Sequence, residues 1–332
     1  MAQLATEKGP VYNINIDIFN QLQHTITGWP GGKPNADDSQ RPERANPAKK
    51  SSIVFSPHPD DDVISMGGTF IRLADQGHDV HVAYQTSGNT AVWDEEVLRY
   101  VEFAKDFVKS LNLDTAQLDR VYAESRTFFG DKKPNQIDTE EVRTIKGLIR
   151  KGEAIAGARF AGLPDENIHF QNLPFYDRGK FSKTVSYEDD ILQTMELLNK
   201  VKPQQVFAAG DFADPHGTHK VCFDIIYQAL VRLKATEEWV KDCWLWLYRG
   251  AWHEFEIHEI QMAVPLSPQE VTRKRLAIYK HQSQKDLPVF PGDDAREFWV
   301  RAEERTSETA RAYDALGLAE YEAIEAFVRH EF

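Results

Sequence analysis

Cysteine is nearly absent. Cys222 and Cys243 are the only two in 332 residues, too few for a disulfide framework and in keeping with a reducing compartment. No uninterrupted apolar run is long enough to span a bilayer, and the N-terminus MAQLATEKGPVYN lacks the apolar core of a signal peptide. Together these absences predict a cytoplasmic chain. Basic charge is also short: 39 Lys and Arg against 52 Asp and Glu give a formal net charge of -13. That excludes a broad electrostatic affinity for nucleic acid or for an anionic membrane, while leaving room for a local basic pocket that takes a phosphorylated small molecule. Internal repeats and low-complexity tracts are missing too. What remains, 41% hydrophobic and 27% charged, is the composition of an ordinary globular protein long enough to bury a sizeable core.

Residues 1–50 differ from the rest. The stretch TGWPGGKPNADDSQRPERANPAKK is dense in Pro, Gly, Asn and charge, and reads as an N-terminal arm or linker that packs through Tyr12, Ile14, Ile16, Ile18 and Phe19. The body, residues 51–332, begins abruptly at Ser51. Ile53-Val54-Phe55 reads as a buried strand, the pattern after Gly67-Gly68 as a helix, and Val80, Val82 and Tyr84 as the next strand. Helices are expected over 93–113, 139–161, 191–201 and 218–233, and strands over 167–173, 205–210 and 243–250. The tail from Pro268 reads as mostly helical, and 89–140 as an inserted lobe. Strands alternating with helices predict an α/β fold, a three-layer sandwich with a mostly parallel sheet covered on both faces. In such sheets the chemistry sits at the carboxyl ends of the strands.

One such end carries an unusual string. After Ile53-Val54-Phe55 come Ser56, Pro57, His58, Pro59 and three successive aspartates, Asp60, Asp61 and Asp62. Burying adjacent carboxylates is costly unless a cation or hydrogen-bond donors hold them. A second strand end, AAGDFADPHGTHKVC, offers His216 and His219 just before a helix. Two strand ends of one parallel sheet, each presenting histidine and aspartate, can converge on one ion. Imidazole nitrogen with carboxylate oxygen and no thiolate fits catalytic zinc, with Fe(II) or Mn(II) also compatible, and such an ion makes a nucleophile of bound water.

His58-Pro59-Asp60-Asp61, followed by Asp62 and Gly67-Gly68, resembles the His-Pro-Asp-Asp-Glu signature of the PIG-L/LmbE-like de-N-acetylases. His216-Gly217-Thr218-His219 is similar to their second signature, His-Pro-Asp-His, with both histidines at the same spacing and the middle pair replaced. The resemblance runs from about Ser51 to Gln284 and takes in Thr86 to Gly88, an Arg-x-x-Glu at Arg150 and Glu153, LPFYDRG, and His-x-Ser-Gln at His281 to Gln284. It implies a Rossmann-like fold and a zinc-dependent hydrolase of N-acetyl groups on amino sugars. By position it makes His58, Asp61 and His219 the metal ligands and Asp60 the general base on the zinc-bound water. His216 would then steady the oxyanion or protonate the leaving amine. Asp62 stands where the signature has Glu, one methylene shorter, in a supporting place. The arm also resembles the join in glucosamine-6-phosphate-deaminase-like proteins that end in such a domain. That resemblance implies fusion to, or association with, a deaminase-like domain, and is compatible with a homo-oligomer.

Plainer readings stand beside these. A His-Pro-Asp-Asp string also serves as a turn that caps a helix, and His281, at the end of a helical pattern, suits packing or capping as well as a place near the site. Arg150 and Arg178 are the candidates to grip a sugar hydroxyl or phosphate, although arginines near strand ends often bind carboxylates within the fold. The aromatics Trp244, Trp246, Tyr248 and Trp252 read as core. A catalytically silent sugar-binding or scaffold domain is the alternative to the amidase, and a hydrolase of another sugar-amine bond a further one.

Overall fold

The computed structural model describes residues 2–33, 49–134, 136–177, 187–212, 217–250, 252–285, 289 and 294–332. In chain order its elements are α1 (Ala2–Lys8), α2 (Val11–Thr25), β1 (Ser51–Ser56), α3 (Asp61–Asp75), β2 (Asp79–Tyr84), α4 (Asp94–Ser110), α5 (Ala116–Asp131) and α6 (Glu140–Phe160). There follow β3 (Ile168–Phe170), α7 (Pro174–Asp177), α8 (Glu188–Val201), β4 (Gln205–Ala209), α9 (Thr218–Lys234), β5 (Trp244–Tyr248), β6 (Met262–Leu266), α10 (Pro268–Ile278), α11 (Phe298–Ala315) and β7 (Ala323–His330).

Seven strands form one sheet in the order β3-β2-β1-β4-β5-β7-β6. The first five in that order pair in parallel, and β7 pairs antiparallel with both β5 and β6. Burial on both faces follows from the residues. Ile53 and Phe55 of β1, Val206 and Ala208 of β4, and Leu245 and Leu247 of β5 join one core with α8 and α9. Their alternates Val54, Phe207, Ala209, Trp246 and Tyr248 join the other, under α3, α6, α10 and α11. Strands that send apolar side chains alternately into two cores are what a sheet covered by helices on both sides requires. The chain winds from β1 outward to β2 and β3, then returns to the other side of β1 as β4. The carboxyl ends of β1 and β4 therefore flank the crevice where such sheets bind ligands.

Two segments differ from expectation. Within the expected arm, residues 2–25 form helices α1 and α2, with Ile14 buried while Tyr12, Ile16, Ile18 and Phe19 stay exposed, and most of its Pro- and Gly-rich part, 34–48, lies outside the described residues. Ile14 and Leu22, two turns apart, mark the edge that turns inward, and Leu22 packs on the core. In the tail, α10 and α11 are helical, but AIEAFVRH returns as β7 into the sheet. Its Ala and Glu favour helix locally, and pairing on both sides with β5 and β6 overrides that preference. Within 89–140, α4 and α5 pack with α6 around a small cluster of Val97, Val101 and Val142.

Candidate metal centre

Pro57 and Pro59 keep the residues before them out of helical geometry, so the chain leaves β1 extended and turns only at His58, whose carbonyl accepts from Asp60 N–H at 2.8 Å. Helix α3 starts at Asp61. The three aspartates are all buried, at 5, 4 and 0% exposure, and each meets a different set of partners.

Asp61 faces two imidazoles. Its Oδ2 accepts from His58 N–H at 2.8 Å, lies 3.2 Å from His58 Nδ1, and lies 3.2 Å from His219 Nε2. Burial alone would push this carboxyl up, but the neighbouring His219 and His58 outweigh burial and hold it well below the usual carboxylate range. His219 comes from the first turn of α9 and is 1% exposed. Its Nδ1 sits 3.0 Å from the carbonyl oxygen of Asp211, just beyond β4. A carbonyl only accepts, so Nδ1 carries a proton, which leaves Nε2, the nitrogen facing Asp61 and His58, as the atom that can ligate an ion. The Asp211 carboxylate in turn accepts from Trp252 N–H and His253 N–H at 2.6 and 2.8 Å, which ties the exit of β4 to the exit of β5. One donor atom each from His58, Asp61 and His219 lie within 4.8 Å of one another. Two imidazoles and one carboxylate are the donor set of a catalytic divalent cation, and the His219 tautomer has the lone pair such an ion needs.

Asp60 points to a cation already in the chain. Its Oδ2 lies 3.0 Å from Nη2 of Arg150 on α6, a guanidinium only 1% exposed. Gly88, at φ +62°, lets the loop after β2 close over this pair. A Cβ there would come within 2.8 Å of Pro59 Cδ and 3.0 Å of Arg150 Nε. One turn further along α6, Glu153 accepts from Ser283 N–H and Ser283 Oγ–H at 2.6 and 2.7 Å. The Arg-x-x-Glu and His-x-Ser-Gln stretches thus dock on each other. His281 is 2% exposed, with its Nε2 in the space that a Cβ on Gly157 would occupy. Burial first, then the Arg150 charge, pull it down to about 4 against the opposing pull of Asp60, so it is neutral.

Asp62 is short of protons around it. Ser56 Oγ–H has two acceptors, the His58 carbonyl at 2.5 Å and Asp62 Oδ1 at 3.1 Å. Tyr84 O–H is likewise divided between Asp62 Oδ2 at 3.0 Å and the Ala154 carbonyl at 3.2 Å. A protonated Asp62 resolves the second conflict, since it donates to Tyr84 and frees the phenol for Ala154. Burial, opposed by the Tyr84 hydrogen bond and aided by the Asp60 charge, accordingly raises this carboxyl to about 7.

The structure thus brings His58, Asp60, Asp61, Asp62, Arg150, His219 and His281 into one region at the carboxyl end of β1. His216 and Arg178 lie outside the described residues. Sequence reasoning passed over three contributors: Tyr84 and Asp211 for their hydrogen bonds, and Tyr176, whose ring stands edge-on 6.4 Å from that of His58. Asp211 had a signal, its place just beyond a strand end and eight residues before His219.

Two cavities lie nearby. One of about 440 Å³ begins at Pro59 and runs past Thr86, Ser87, Asn89 and Asn172 along α6. A larger one of about 1020 Å³, mostly apolar, lies between α4, α5 and α6, and none of the candidate ligands lines either cavity. Polar lining and contact with the His58–Asp60 turn make the smaller cavity the better match to a sugar.

Among solved structures, an N,N'-diacetylchitobiose deacetylase from Pyrococcus horikoshii overlays with a TM-score of 0.52 at 19% identity, covering 85% of each chain. A 4-carboxy-2-hydroxymuconate hydratase from Pseudomonas putida KT2440 overlays equally well, TM-score 0.52 at 15% identity, over 85% of this chain and 97% of the other. At these identities the likeness is one of fold, and the pair shows that the fold hosts more than one chemistry. In sequence the chain is 53% identical to a glucosamine-6-phosphate deaminase-like protein of Bacteroides thetaiotaomicron over 99% of its own length, and spans about half the length of that relative. The family model for GlcNAc-PI de-N-acetylase matches residues 53–230. That match takes in both strand ends that build the centre and more than half of the chain, which belongs to the PIG-L family.

Proposed function

We propose that the chain is a metal-dependent hydrolase that removes the N-acetyl group of an amino-sugar derivative. The observation that carries this reading is the His58–Asp61–His219 cluster with a second carboxylate, Asp60, in the adjacent position and held by Arg150. Fold alone would not carry it, since a hydratase has the same fold.

His58, Asp61 and His219 would hold the ion, zinc by preference for this donor set, with Fe(II) or Mn(II) as substitutes. When bound, such an ion lowers the pKa of water and polarises an amide carbonyl. The protein residues do the rest. Asp60 accepts the proton of the attacking water, and Arg150 keeps that carboxylate aimed. His216 steadies the oxyanion or protonates the departing amine. Asp62, buried and with its carboxyl raised to about 7, supports the turn that carries His58 and Asp61 through Ser56 and Tyr84. The test pairs metal analysis of the purified protein with an amine-release assay over a panel of N-acetylated sugars. Stoichiometric metal with release supports the reading. Neither would leave the chain a silent scaffold of the same fold.

A further inference from the structure

An acidic protein that takes an anionic substrate needs local cations, and the cavity beginning at Pro59 has two. Arg143, Gly147 and Lys151 follow one another at i, i+4 and i+8 along α6, and all three line it. That spacing places them on one ridge of the helix. The rise of a helix sets the two cationic residues about 12 Å apart along its axis. Gly147, midway, contributes no side chain, so a notch lies between two long cationic arms. Across the notch stand the polar exits of β2 and β3: Thr86, Ser87, Asn89 and Asn172. The nearest atom a Cβ on Gly147 would meet is Ser87 Cβ at 3.5 Å.

The two arms are placed to act outward. Arg143 is half-buried, and no carboxylate among the described residues pairs with it. Lys151 Nζ stands 5.1 Å from the Phe170 ring centroid, a cation–π contact that holds it against the cavity wall. Arg150, its neighbour in sequence, is by contrast buried on Asp60. One carboxylate, Glu140, also lines the cavity, at the end where it meets the apolar groove and three turns from Lys151. A phosphate monoester carries nearly two negative charges and offers oxygens to both a guanidinium fork and an ammonium.

We propose that this notch is a phosphate subsite: the amino-sugar substrate carries a phosphate monoester that lodges over Gly147 between Arg143 and Lys151. The proposal rests on the de-N-acetylase reading for the sugar, and its test separates the two. Calorimetry on the metal-loaded full chain measures binding of glucosamine, glucosamine 6-phosphate and glucosamine 1-phosphate, none of which can be deacetylated. One of the phosphates should bind at least tenfold more tightly than the neutral amine. Arg143→Gln and Lys151→Gln should each remove roughly tenfold of that preference, the scale of one charge-assisted hydrogen bond, and leave glucosamine binding unchanged. Gly147→Leu, which fills the notch and keeps both charges, should remove it as well. Equal binding of the three ligands, or a preference untouched by all three variants, overturns the subsite. Amine release from both neutral and phosphorylated N-acetylglucosamine with the same kcat/KM, in wild type and variants alike, overturns it while the de-N-acetylase reading stands. A variant-sensitive phosphate preference without any amine release upholds the subsite and sinks that reading.

Discussion

Helix α3 meets buried carboxylates in two places, and they are handled differently. At its start Asp61 is met by imidazoles and Asp60 by a guanidinium. Further along, Glu325 reaches over from β7, accepting from Gly68 N–H at 2.9 Å, Thr69 N–H at 2.6 Å and Lys274 Nζ at 2.7 Å. Glu325 and Lys274 are each 1% exposed. Both places hold negative charge out of water at a cost that only good partners offset. The second is closed, with backbone amides and one lysine fixing the carboxylate to the helix it braces. The first is open, because a divalent ion can replace the partners that imidazoles provide. Closed centres serve structure, and open ones are available for chemistry.

The sharpest way to break this comparison is to strip the open centre. His58→Ala, Asp61→Ala and His219→Ala should each lose bound metal and with it all measurable turnover, since each removes a lone pair the ion needs. Asp60→Asn should keep the metal and lower turnover by roughly 10²- to 10⁴-fold, the range for a positioned acid or base. Metal content and rates on purified variants check both, and full metal occupancy in the His219 variant would remove that residue from the ligand set.

Breaking the closed centre should move a different observable. Glu325→Ala leaves Lys274 charged and buried, which costs about 3–5 kcal/mol of stability, read as a lower urea midpoint with metal stoichiometry retained in the folded fraction. Replacing both partners, Lys274→Met with Glu325→Leu, should recover most of the loss. If the single variant instead released metal without a change in stability, the two centres would not be independent.

His216→Ala tests the edge of the open centre. A residue that acts on the oxyanion or the leaving amine but does not ligate the ion should leave metal content unchanged and lower turnover by roughly a hundredfold. Wild-type activity in this variant would end that assignment.

The open centre was readable in the sequence because its chemistry is local: histidine and aspartate at the ends of two apolar strands, His58 to Asp61 and His219, announce it before any fold is known. The order of the parallel strands was equally legible, from Ser51 to Gly250, because strands buried on both faces write apolar runs, whereas α5 lies in a polar stretch with no such pattern and was not foreseen as a helix. The closed centre was not. Glu325 lies 51 residues from Lys274, inside a segment whose Ala and Glu read as helix, and only the pairing of β7 with β5 and β6 places it. Arg150 is open in the sequence to two readings, a substrate contact or a partner for a carboxylate within the fold, and in the structure its partner is Asp60. Nothing in the spacing distinguishes a guanidinium that meets a ligand from one that meets a carboxylate ninety residues away.

Asp62 gives the smallest and finest test, because it is buried like Glu325 but lacks enough donors. Its carboxyl keeps a proton up to about pH 7 in the folded chain, whereas unfolded aspartate releases it near about 3.9. Between those values the folded state binds more protons, so this residue makes stability fall as pH rises through the window, and its full penalty persists above it. Asp62→Asn is neutral at every pH, and its amide can donate to the Tyr84 oxygen, which frees the phenol for the Ala154 carbonyl. In chelator-treated protein the stability of the variant relative to wild type should therefore increase from pH 5 to about 7 and level off above, by about 1–3 kcal/mol in all, the cost of a buried group without its donor. Parallel urea melts at intervals from pH 5 to 8 measure the difference. A difference that stays constant across that range would mean that Asp62 is ionised throughout, and that the start of α3 holds three negative charges rather than two.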